Sequence, residues 1–83
     1  MNAESRLESL LADARAALGA LDTDDRSVSG LVDRVAALRY AEGTLIGFLE
    51  ALVVTEPAIA QRVAPRIDAF VSEAIAARIL LGD

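Results

Sequence analysis

The chain contains no cysteine, no histidine and no tryptophan, and all eight of its cations are arginine. Without cysteine there can be no disulfide framework, and without cysteine or histidine no zinc site on thiolate or imidazole ligands. The same absences remove the usual nucleophile–base pairs of hydrolases. No glycine-rich phosphate loop occurs either. Two prolines and five glycines are the only strong breakers in 83 residues, and no run alternates apolar and polar residues as a half-buried strand would. A domain this small needs a staple. With disulfides and thiolate or imidazole metal sites excluded, good helix packing or association with another chain remains.

What is present is alanine and leucine in quantity, within a composition 54% apolar. Both are strong helix formers. The net charge is −5, a poor basis for binding nucleic acid or an anionic membrane, where phosphate attraction supplies most non-specific affinity. The first ten residues, MNAESRLESL, carry charges where a secretory leader has its apolar core. The most apolar stretch, Gly43 to Thr55, contains Glu50 and falls short of the ~20 residues of a membrane span. The expectation is a cytoplasmic protein with no membrane segment and no cofactor.

Periodicity divides the chain into three helices of a single all-α domain, residues 1–83. The first is expected from Ala3 to Leu21, with Asn2 as N-cap and Glu4 in the first turn, where the helix dipole favours an acid. Leu7, Leu11, Ala14, Leu18 and Leu21 form its apolar stripe, with Leu10 beside it. The polar segment Asp22 to Ser29 reads as a connection, and Ser27 or Ser29 as the cap of the next helix. The second helix runs from Gly30 to Val54. It carries Leu31, Val35, Leu38, Leu45, Leu49 and Leu52 on one face, widened by Val32, Ile46, Phe48 and Val53. Thr55-Glu56-Pro57 breaks the pattern, and Pro57 suits the first turn of a third helix ending near Leu81, before Gly82. Its stripe is Val63, Ile67, Phe70, Ala74, Ala77 and Leu81, with Val71 alongside. Pro65 should kink this helix or split off a short piece, Ala58 to Ala64; the unbroken stripe favours the kink. Short connections make the second and third helices a long antiparallel hairpin.

Leu45 to Val54 is apolar almost all round, more than two neighbouring helices can cover in so small a domain. A partner chain could cover the remainder. The interface expected from sequence is Gly43, Leu45, Ile46, Gly47, Phe48, Leu49, Leu52, Val53 and Phe70. Gly43, Gly47 and Ala51 repeat every four residues, with Ala36 two turns earlier, a spacing that permits close helix approach. The approaching helix is either a partner's or the chain's own first helix.

Glu42 falls between Leu38 and Leu45. A buried carboxylate needs a partner, and Arg39, Arg66 or an arginine of a second chain could provide one. Alternatively the helix is rotated so that Glu42 reaches water. Arg78, on the apolar face of the third helix, is expected to pack its stem and extend its head to water or to the last carbonyls; the alternative is an interchain salt bridge.

The segment Asp22 to Asp33 has the length of a calcium loop. Asp22, Asp24 and Asp33 match its acidic positions, but Arg26 and Ser27 stand where an oxygen ligand and a glycine are required, which argues against calcium. Tyr40, Glu42 and Arg39 are the only acid, base and anion-binding set worth considering, and as near neighbours on a helix they point different ways. The function expected is therefore a protein–protein interaction module without catalysis: a homodimerising or helical-partner-binding adaptor, a chaperone-like binder or an inhibitor. The alternative is an acidic antagonist of a nucleic-acid-binding protein, with Asp22 to Asp25 imitating phosphates. Salt separates the two, because apolar docking survives it and phosphate mimicry does not.

Overall fold

The computed structural model describes residues 2–22 and 27–82. Three helices account for nearly all of them: α1 (Ala3–Gly19), α2 (Val28–Thr55) and α3 (Pro57–Leu80). The expected all-α three-helix domain with an α2–α3 hairpin is what forms.

Local chemistry sets the boundaries. The Asn2 side chain accepts a hydrogen bond from the Ser5 N–H at 2.7 Å, satisfying one of the free donors at the start of α1. Ser27 does the same for the Gly30 N–H at 3.2 Å, so α2 begins two residues earlier than expected. Glu56 is the single non-helical residue between α2 and α3, at φ −145° and ψ 70°. The ring of Pro57 disfavours a helical conformation in the residue before it while itself fitting the first position of α3. That one residue reverses the chain. Pro65 lies within α3, yet the helix continues through it instead of releasing a short first piece. α1 ends at Gly19, two residues before the expected Leu21.

The core runs along the three-helix contact. α1 supplies Leu7, Leu11 and Ala14, α2 supplies Leu38, Leu45 and Leu52, and α3 supplies Ala60, Val63, Ile67, Phe70 and Ala74. Phe70, Leu7 and Leu38 have no exposed surface. Ion pairs step along the α1–α3 edge: Arg62 with Glu4, Arg66 with Glu8 at 2.6 Å, and Arg15 with Glu73 at 3.4 Å. In each pair the partners are 58 residues apart in sequence. A constant offset means that α1 and α3 run parallel, both antiparallel to α2. These pairs are about half exposed, so each contributes at most ~1 kcal/mol. The sign reverses between the first two pairs and the third, so a long slip of α1 along α3 would bring like charges together.

Three interface residues expected from sequence belong instead to this core. Leu45, Leu52 and Phe70 are buried within the chain, and Phe48 and Leu49 are half-buried against it. None of the three buried side chains presents surface to a partner. The surplus of apolar surface on α2 lies elsewhere on its circumference.

Candidate functional site

Two features of α2 go beyond holding the fold. The first is Glu42, which is buried, so the water-facing alternative does not hold. Its partner is neither Arg39 nor Arg66 but Arg78. Arg78 donates through Nε to one carboxylate oxygen at 2.8 Å and through Nη2 to the other at 2.9 Å. Their side chains are 8% and 17% exposed, so this fork-to-fork pair sits largely out of water. The choice of arginine follows from how helical side chains lean. Each tilts toward the N-terminus of its own helix, so across the antiparallel hairpin Glu42 leans away from the Glu56 turn and Arg78 leans toward it. The two converge. Arg66 leans toward the turn, away from Glu42, and pairs with Glu8 on α1. The expectation that Arg78 extends to water is corrected by the same contact.

The second feature is a stripe along the outward side of α2: Val32, Ala36, Arg39, Gly43, Ile46, Glu50 and Val53. All seven are exposed. They step by four and three residues alternately, the spacing of a seam along which two helices pack. Val32 is 59% exposed, Val53 57% and Ile46 41%, substantial for β-branched aliphatic side chains. At Gly43 and Gly47 an added Cβ would meet nothing within 4 Å. The chain's own first helix therefore does not approach this small-residue face, and no packing among the described residues accounts for the glycines. Each costs the helix up to ~1 kcal/mol relative to alanine.

Shallow grooves flank the stripe at both ends. Near its start, Leu31, Val32, Val35, Ala36 and Leu81 line an open groove of about 320 Å³ with Arg39 among its walls. Near its end, Leu49, Val53, Pro57, Ala60 and Ala64 line another of about 280 Å³ between α2 and α3. Ile75 and Ile79 add exposed apolar surface on α3.

The remaining candidates do not converge on a site. Arg39 borders the first groove, Tyr40 borders a different one against α1 beside Arg6 and Asp13, and Glu42 is buried. Among the described residues no group of acidic side chains is placed to hold a metal ion, and no helix is long and apolar enough to cross a membrane. Asp24 and Arg26 of the calcium-loop comparison, and most of the Asp22–Asp25 cluster, lie outside the described residues. The pair Glu42–Arg78 was missed by sequence reasoning, although the tilt of helical side chains across a hairpin was available to find it. So was the seven-residue stripe, whose four-three spacing is written in the sequence. In comparisons with known proteins, the chain matches no family model, no curated protein and no solved structure.

Proposed function

We propose that this chain is a small cytoplasmic protein–protein interaction module that works by pairing with another helical chain, in the first place a second copy of itself, and performs no catalysis of its own. The observation that carries the reading is the outward stripe of α2. It places valine and isoleucine in water at helical-seam spacing, around glycines for which the chain itself has no packing use. Exposed aliphatic side chains lined up along one helix, rimmed by charges such as Arg39 and Glu50, are the kind of surface at which small proteins associate. Its length suits a helix laid alongside it. Burial of that surface would drive association at ~25 cal/mol per Å².

Sedimentation equilibrium from low micromolar to near-millimolar concentration tests this, with Ile46→Lys beside the wild type. The wild type should pass from one chain to two, and Ile46→Lys should dissociate at least about tenfold more readily, a loss of ~1.4 kcal/mol. Ile46 is partly exposed, so the variant should fold. A wild type that stays monomeric throughout would overturn self-association. An unaffected variant would remove the stripe from the interface.

A further inference from the structure

We infer that two copies of α2 pair antiparallel about a two-fold axis passing between Thr44 and Leu45, in the register that sets Arg39 against the partner's Glu50. This rests on the self-association proposed above and adds the geometry of the contact.

The outward stripe alternates in character as well as spacing. With antiparallel pairing about that axis, Gly43 lies opposite the partner's Ile46 and Ala36 opposite the partner's Val53. Every such layer joins a small residue to a β-branched one, which fills space evenly at the 8–10 Å separation of packed helices. Arg39 then faces the partner's Glu50, and by symmetry Glu50 faces the partner's Arg39. Glu50 is exposed and has no ion-pair partner among the described residues. The partner's Val53, opposite Ala36, then lies at the apolar groove lined by Leu31, Val32, Val35 and Leu81. Gly47, beside Ile46, falls next to the partner's Tyr40, an exposed ring that needs the room. Both glycines thus gain a use that the single chain does not provide.

Competing registers lack this match. One heptad in one direction sets Glu50 against the partner's Val32 and Arg39 against the partner's Gly43. One heptad in the other sets Glu50 against the partner's Ile46 and carries Arg39 past the end of the partner's α2. Parallel pairing stacks arginine on arginine and glutamate on glutamate. A single isologous register satisfies size and charge together.

The stripe is ~32 Å long at 1.5 Å per residue and one helix wide. That is a few hundred Å² per copy, below the ~800 Å² per partner of a standard interface. The dimer therefore belongs to the exchanging, micromolar class rather than the obligate one.

Charge reversal tests the register. R39E and E50R each turn both ion pairs of a homodimer into like-charge contacts. Each should associate roughly tenfold more weakly in light scattering at moderate salt. Mixed in equal amounts they should form a heterodimer of about wild-type affinity, because both pairs are then opposite in sign, and the double variant R39E/E50R should recover as well. E50R lowers the net negative charge, so weakening by that variant cannot come from overall repulsion. Both positions are exposed, and unchanged circular dichroism should accompany every variant. If the wild type dimerises but the single variants match it, or mixing restores nothing, the register is wrong and self-association stands. If the wild type never dimerises, both fall.

Discussion

The two sides of α2 use apolar residues to different ends. Toward α1 and α3 it presents Leu38, Leu45 and Leu52, buried in a close-packed core, with one buried carboxylate gripped by Arg78. On the other side stand Val32, Ile46 and Val53, β-branched and exposed, with Ala36, Gly43 and the charged Arg39 and Glu50 between them. The inner side uses leucine and phenylalanine partners of matched volume, which specify one packing. The outer side uses residues whose stiff side chains lose little entropy on being covered and whose small neighbours leave room for another backbone.

The largest difference between the two sides should appear at the buried ion pair. Arg78→Leu leaves Glu42 buried without its partner and should cost about 3 kcal/mol or more in urea unfolding. Glu42→Leu with Arg78→Leu removes both charges and should return to within about 1 kcal/mol of the wild type. A double variant as unstable as the single would show that the pair contributes stability beyond its mutual compensation, and the inner side would then not be simply a packed core. The smallest effect is of opposite sign. Gly43→Ala and Gly47→Ala, studied dilute enough to be monomeric, should each raise stability by up to ~1 kcal/mol, since open space surrounds both positions and alanine is the better helix former. Destabilisation would mean that the outer side is packed within the chain after all.

Much of the fold could be read from residues alone because each helix announces its own ends. Asn2 and Ser27 act on the N–H three residues on and Pro57 on the residue just before it, and those interactions are written locally. The phase of α2 was harder. A helix apolar nearly all round does not declare which arc faces its own chain, so sequence alone offers Leu45, Leu52 and Phe70 to a partner although they are buried within the chain. The surplus was legible in Ile46 and Val53; its direction was not. Glu42 was recognisable as a residue in need of a partner, yet the partner depends on the tilt of side chains across the hairpin, a tertiary property that reach along one helix does not capture. The role of Gly43 and Gly47 stayed open between α1 and another chain until the space around them was known.

Self-association through the outer arc of α2 is read residue by residue in a dilution series of amide proton–nitrogen NMR spectra. As concentration rises, shifts should move together for Ala36, Arg39, Gly43, Ile46, Glu50 and Val53, with the two glycine amides easily followed, while Leu7, Leu11 and Ala14 of α1 stay in place. Spectra that do not change with concentration, or changes gathered on α1 instead, would contradict it.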